Sequence, residues 1–278
     1  MKVYNTKSGI LVEHESKFHL LNEEKWDEFI NDDGIITNTK AKLNESNRIK
    51  DANSILENNL KAPVQSQEIW ASGVTYYNSK LGREEESKEA GGSSFYAKVY
   101  EADRPELFFK ATAHRTVGNG GVVRIRKDSS WNVPEPELTL VITSNGKIIG
   151  YTIGNDMSSR SIEGENPLYL PQAKTYDGCA ALGPCVLLTN EPLPTNTKIR
   201  LVINRAGKNV FDKNIGIDQI KRKLVDIVEY LYRECTFPNG SLLMTGTGII
   251  PSSDFTLEID DEVIISIDGI GTLMNRVG

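Results

Sequence analysis

The sequence is short of the residues that staple a small fold or build a transition-metal site. It has three cysteines, Cys179, Cys185 and Cys235. They cannot all pair with one another, and none has zinc-site spacing. They fit a reducing compartment better than a disulfide framework. Three histidines, His14, His19 and His114, leave little room for His-rich metal chemistry. A bound divalent ion would have to rest on carboxylates, whose oxygens favour Mg, Ca or Mn over Zn or Cu. No apolar run approaches the roughly 18 residues that would span a bilayer. The first residues, Met1-Lys2-Val3-Tyr4-Asn5-Thr6-Lys7, lack the apolar core of a secretion signal. A cytoplasmic protein with no membrane partner is therefore expected. Positive charge is not in excess: 32 Lys and Arg face 38 Asp and Glu, a net charge of −6. This argues against a sequence-independent nucleic-acid binder, which needs a basic surface.

What the sequence does contain is ordinary for a globular chain, with 38% hydrophobic and 25% charged side chains over 278 residues. That length fits one large domain, or a small one joined to a larger one. Residues 1–62 are polar, with helical spacing over 23–30 and 44–60, and are expected to form a small N-terminal domain. Ala62-Pro63-Val64 reads as the crossing into a second domain, 63–278, which looks mainly β. A short strand is expected at 121–126. Strands at 137–142 and 147–153 flank Ser144-Asn145-Gly146, whose Asn-Gly suits the positive φ of a hairpin turn. Strands at 198–204 and 209–213 flank Arg205-Ala206-Gly207-Lys208, and 262–267 alternates as a final strand. Ile220, Leu224, Ile227, Val228 and Leu231 predict a helix over 217–233, stopped by Pro238-Asn239-Gly240. Two stretches resist a regular reading. Residues 81–102 suit a charged helix with a flexible neighbour, a segment able to close over a site. Residues 158–178, with Pro167 and Pro171, read as a long loop.

Glu135-Pro136-Glu137 is the first candidate for chemistry. Side chains two apart on an extended chain share a face, so both carboxylates can reach one point. Pro136 has no N–H and suggests an edge or bulged strand. Two like charges on one face want a cation; the alternative is a solvated strand surface. Asp156 follows the strand that pairs with the one beginning at Glu137, at the end away from the hairpin turn. Three carboxylates at one end of a hairpin make a plausible Mg site. Alternatively, Asp156 starts a turn or caps a helix. His114 reads as a surface or hydrogen-bonding residue, Cys179 and Cys185 as small buried hydrophobes. Thr245-Gly246-Thr247-Gly248 lacks the lysine of a phosphate loop.

Several segments together resemble the fumarylacetoacetate hydrolase family. They are Glu135-Pro136-Glu137-Leu138, the run from Gly150 to Arg160, Lys174-Thr175-Tyr176-Asp177, Leu182-Gly183-Pro184 and Thr245-Gly246-Thr247-Gly248. Asp260-Asp261-Glu262-Val263 and the run from Gly269 to Asn275 complete the set, in order from about residue 70 to the end. The resemblance implies an α+β, mainly β fold: a mixed β-roll catalytic domain behind a small N-terminal domain. It also implies Mg2+, with Mn2+ or Ca2+ as substitutes, held by Glu135, Glu137 and Asp156. A small 2-oxo acid or β-diketone substrate and a homodimer or dimer-based oligomer follow from it too. The segments 104–112 and 165–174 are similar to a branch of the family, the 2-keto-3-deoxy-D-arabinonate dehydratases. That likeness implies Glu106 and Lys174 as catalytic residues and Tyr76, Lys110 and Thr247 as substrate contacts.

The chain departs from the family's hydrolases at one motif. Those carry G-x-N-Y-x-x-H-x-x-E, whose His and Glu activate water. Here Ser79 stands for the His and Gly82 for the Glu. Neither serves as a general base near neutral pH. The resemblance thus implies an Mg-dependent carbon–oxygen lyase acting on a 2-keto-3-deoxy sugar acid, giving 2,5-dioxopentanoate from a pentonate. The alternatives are an acylpyruvate hydrolase or oxaloacetate decarboxylase with a base from elsewhere, and a non-catalytic ligand-binding homologue.

Overall fold

The computed structural model describes residues 1–22, 25–86 and 93–278, with the side chains of 83–86 and 93–96 set aside. Strands dominate it. The larger sheet runs Arg48–Ile49, Lys17–Leu21, Gly9–His14, Lys2–Thr6, Ala180–Leu188, Ile148–Asp156, Pro136–Ile142, Ser241–Met244, Glu68–Gly73, Glu106–Ala111. A second sheet of five strands runs Lys208–Gly216, Lys198–Arg205, Glu262–Ile267, Gly271–Val277, Val122–Val123. One core lies between the sheets, where Leu138, Leu140 and Ile153 meet Leu201, Ile265 and Leu273. A second core covers the other face of the large sheet and mixes Val3, Ile10, Trp26 and Phe29 with Val141, Val186 and Leu242. The strands of the first 62 residues continue the large sheet through Lys2 opposite Leu187 and Val3 opposite Val186. Among the described residues no helix is long and apolar enough to cross a membrane.

Both expected hairpins form, Pro136–Ile142 with Ile148–Asp156 and Lys198–Arg205 with Lys208–Gly216. Pro136 does not mark an edge. Its strand is central, but the neighbour Ser241–Met244 pairs only from Thr139 onward. The missing N–H therefore falls where that neighbour has peeled away, beside buried Glu137.

Four other expectations change. The helix predicted over 217–233 is confined to Leu224–Tyr232. Before it, Ile220 bridges to Tyr76 and the Lys221 N–H donates to the Thr75 carbonyl, so this backbone serves its neighbours instead of a helical ladder. The helix expected over 44–60 is only Asn53–Asn58. Asn44 and Asn47 side chains accept from nearby backbone N–H groups and fold 44–47 as a turn, a competition that polar short side chains often win. The strand at 121–126 shrinks to Val122–Val123. The supposed loop 158–178 holds the helices Arg160–Glu165 and Leu170–Lys174, with Pro171 tolerated in a first turn that needs no N–H partner. In the charged stretch 81–102, helices cover Tyr77–Glu86 and Ser93–Glu101. The closing segment expected there includes 87–92, which lie outside the described residues. Helical spacing over 23–30 yields Trp26–Ile30, and residues 23 and 24 also lie outside.

Candidate active site

The hairpin brings Glu135, Glu137 and Asp156 together. The Asp156 N–H donates to the Glu135 carbonyl at 2.9 Å. One carboxylate oxygen from each of the three side chains lies within 4.8 Å of the others, and all three residues are buried. Glu137 sits on a strand buried along its whole length. Its carboxyl is held well above the usual carboxylate range, first by burial, then by Asp156 and Glu135; the Lys174 ammonium and the Gly246 N–H at 2.6 Å pull the other way. Three carboxylates so close in a dry place need positive charge.

The chain supplies some of it. Lys174 ends the helix Leu170–Lys174, is fully buried, and places Nζ 2.7 Å from Glu135, 3.2 Å from Asp156 and 2.6 Å from Ser158 Oγ. Arg160 Nη2 donates to Glu135 Oε1 at 2.5 Å. Lys110 Nζ lies 2.6 Å from Asp156 Oδ1 and donates to the carbonyls of Met157 and Lys174. Glu163 completes the cluster, 3.3 Å from Lys174 and 3.6 Å from Arg160. Four buried carboxylates thus face three buried cations. With Glu137 ionised one negative charge is left over, and that charge and the converging hard oxygens fit a divalent cation of the Mg type.

The chamber beside the carboxylates is walled by Ser72, Gly73, Val74 and Ser79, by Phe108, Arg160 and Lys174, and by Gly246 and Thr247. Val74 has φ 53°, a left-handed conformation unusual for a β-branched residue. The next residue anchors it: Thr75 Oγ1 donates to the Thr245 carbonyl at 2.6 Å. Ser79 Oγ donates to the Tyr76 carbonyl and accepts the Tyr76 N–H, capping the helix Tyr77–Glu86. Glu106 starts the strand paired with Gly73 and folds its carboxylate over that glycine, where a Cβ would lie 2.0 Å from Oε2.

The residues expected from sequence divide into two sets. Glu135, Glu137, Asp156, Lys174 and Thr247 line the chamber; Glu106 is not itself in the wall but packs its carboxylate against Gly73, which is. Lys110 is not among the lining residues; it lies behind Asp156, fully buried, and braces it. Tyr76 is also absent from the wall. Its ring packs against Gly248, and burial, with Glu137 and Asp218 nearby, raises its phenol above the ordinary value. Arg160 and Glu163 received no role from sequence. Their i, i+3 spacing was a usable signal once that segment is known to be helical. A wider groove between Asn145–Tyr151 and Val225–Tyr232 is mostly apolar and carries no such convergence of charge.

The pattern of the fumarylacetoacetate hydrolase C-terminal region matches residues 75–278. The chain belongs to that family. It is 45% identical over 238 residues to a protein of Haloferax volcanii named probable 2-keto-3-deoxyxylonate dehydratase, covering 85% of this chain and 81% of that one. It is 44% identical over 220 residues to the 2-dehydro-3-deoxy-D-arabinonate dehydratase of Saccharolobus solfataricus, covering 77% and 73%. A solved structure of 2-keto-3-deoxy-D-arabinonate dehydratase complexed with magnesium and 2,5-dioxopentanoate superposes with a TM-score of 0.84 at 36% identity, over 100% of this chain and 98% of that one.

Proposed function

We infer that the chain is an Mg-dependent dehydratase, a carbon–oxygen lyase, acting on a 2-keto-3-deoxy sugar acid such as 2-keto-3-deoxy-D-arabinonate and yielding 2,5-dioxopentanoate. The observation that carries this reading is the pairing of a buried acidic trio with a wall in which Ser79 takes the place of the family hydrolases' histidine, while Gly82, one turn along the same helix, takes that of their glutamate, and neither activates water. The named relatives support the same reaction. Glu135, Glu137 and Asp156 would hold the ion. When bound, Mg2+ supplies Lewis-acid polarisation of a 2-oxo acid's ketone, which makes the C3 protons more acidic. Glu106, beside the chamber, is the base for that proton. Loss of the C3 proton and of the C4 hydroxyl as water gives an unsaturated 2-oxo acid, which tautomerises to the dioxo product. Lys174 orients the substrate or balances charge developing on its oxygen, and Thr247 borders the space for the carboxylate. Tyr76 and Lys110 act from behind the wall, through the elements they brace.

Three cysteines without a disulfide support a cytoplasmic setting. A homodimer is part of the same reading, and light scattering of the purified chain tests it. The activity test is steady-state turnover with Mg2+, following water loss from 2-keto-3-deoxypentonate and cleavage of acylpyruvates side by side. Dehydration is expected to be the faster reaction by far. Efficient acylpyruvate cleavage without dehydration would replace this reading with a hydrolase.

A further inference from the structure

We propose that Glu163 is a positioning residue: the counter-charge that retains Lys174 and Arg160 once a divalent cation takes the carboxylates they now touch. This rests on the reading that Glu135, Glu137 and Asp156 hold that cation. Glu135 and Glu163 face each other across two cations. Lys174 Nζ is 2.7 Å from Glu135 Oε2 and 3.3 Å from Glu163 Oε1. Arg160 lies 2.5 Å from Glu135 Oε1 through Nη2 and 3.6 Å from Glu163 Oε2 through Nε. The four side chains close a ring of alternating charge in which each carboxylate offers one oxygen to each cation. Their exposures are 5% for Glu135, 2% for Arg160, 2% for Glu163 and 0% for Lys174, so little bulk solvent reaches the ring to replace a lost partner.

Such a ring redistributes charge without backbone movement. A metal ion that claims Glu135 and Asp156 takes up carboxylate lone pairs that accept hydrogen bonds from Lys174 and Arg160. A buried charge left without a partner is strongly unfavourable. Glu163 is the ring's carboxylate outside the acidic trio, so the two cations turn to it. Ser158 Oγ, 2.6 Å from Lys174, adds an acceptor but no charge. Glu163 and Arg160 share the helix Arg160–Glu165, which fixes the geometry of the pair. Without the Glu163 charge, Lys174 holds Glu135 and Asp156, and Arg160 holds Glu135, more tightly, and both compete with the metal.

Calorimetric titration of the full chain with Mg2+, without substrate, reads this competition. Glu163→Gln keeps the side chain's shape and removes its charge. It is expected to weaken Mg2+ binding by about 10-fold or more, the scale of a lost partner behind a metal ligand. Glu163→Asp keeps the charge and should stay nearer wild type. Lys174→Met removes one of the two competing cations and leaves Arg160, so adding Glu163→Gln to it should cost clearly less affinity than Glu163→Gln costs the wild type. A packing role for Glu163 would show no such dependence on Lys174. If Glu163→Gln does not fold alone, Lys174→Met and the double variant still carry the comparison, because the double lacks the stranded ammonium. Equal affinity in wild type and Glu163→Gln, or an equal loss in both backgrounds, overturns the proposal. A wild-type chain that binds neither Mg2+ nor Mn2+ overturns the metal reading beneath it, which is a separate and recognisable failure.

Discussion

Gly73→Ala tests where the proposed base sits without touching it. A Cβ at residue 73 would lie 2.0 Å from Glu106 Oε2 and 2.7 Å from its Cδ. Ordinary contact needs roughly 3.5 Å, so the carboxylate must retreat by about 1.5 Å. It is the far end of a flexible side chain, so the fold absorbs the change. Glycine 73 does not use a positive φ, and alanine there also lowers the entropy of the unfolded chain. The melting temperature should therefore hold or rise slightly. A misplacement of about 1 Å in a reacting group can reduce rate about 100-fold. We expect kcat for 2-keto-3-deoxypentonate to drop by about that factor, with Mg2+ affinity within about threefold of wild type, since Glu106 is not assigned to the ion. Stopped-time product assays, calorimetry and a thermal melt on the same preparation read all three quantities. An unchanged kcat would refute the placement of Glu106 as base; a fall in Mg2+ affinity matching the fall in rate would move Glu106 into the ion's own shell.

Glu135→Gln and Asp156→Asn should each weaken Mg2+ binding by at least about 10-fold while the fold survives, measured by calorimetry with circular dichroism as control. Lys110→Met strips Asp156 and two carbonyls of a buried cation and should destabilise the chain by about 3–5 kcal/mol in urea unfolding, far more than an exposed lysine change. Mg2+ affinity should rise with pH. The metal-free Glu137 carboxyl is raised, mainly by burial, so it still carries a proton where an ordinary glutamate has lost it, and the ion must displace that proton. Titrations in buffers of different ionisation enthalpy count the protons released; zero release in the acidic range, just above where an ordinary glutamate ionises, would contradict the raised carboxyl.

The convergence of the acidic trio was legible because it depends on two local rules. Alternation puts Glu135 and Glu137 on one face, and the Asn145-Gly146 turn sets a register that returns Asp156 beside Glu135. The cations were less legible, since they arrive from segments whose structure is set by tertiary contacts. Lys174 and Arg160 lie in 158–178, where two prolines obscure helices too short to show a periodic face. Lys110 belongs to the strand Glu106–Ala111, whose ELFFKA sequence does not alternate, and whether its side chain faces substrate or Asp156 depends on packing across 46 residues of sequence. The helix over 217–233 was over-extended because Ile220 fits the apolar stripe yet faces Tyr76, a contact that no spacing rule contains.

The junction after Gly73 shows how the reaction choice is built into backbone support rather than left to one substitution. Val74 in a left-handed conformation turns the chain off the strand Glu68–Gly73, at a cost of about 1–3 kcal/mol for such strain. Thr75 holds that turn through the Thr245 carbonyl, and Gly246, at φ 91°, lets the two segments touch: a Cβ there would lie 2.1 Å from Thr75 Oγ1. The same Gly246 offers its N–H to Glu137. Ser79 then spends both its donor and an acceptor position on Tyr76, closing the helix start in the manner of a capping box. A histidine at 79 would lose that cap, would find glycine rather than a carboxylate at 82, and would stand beside a turn already committed to orienting Glu137. Water activation at this wall therefore needs a changed cap, a changed helix face and a new base together, whereas the proposed enolisation of a 2-oxo acid needs only an ion on the acidic trio and Glu106 as its proposed base, residues carried by the strands that meet here.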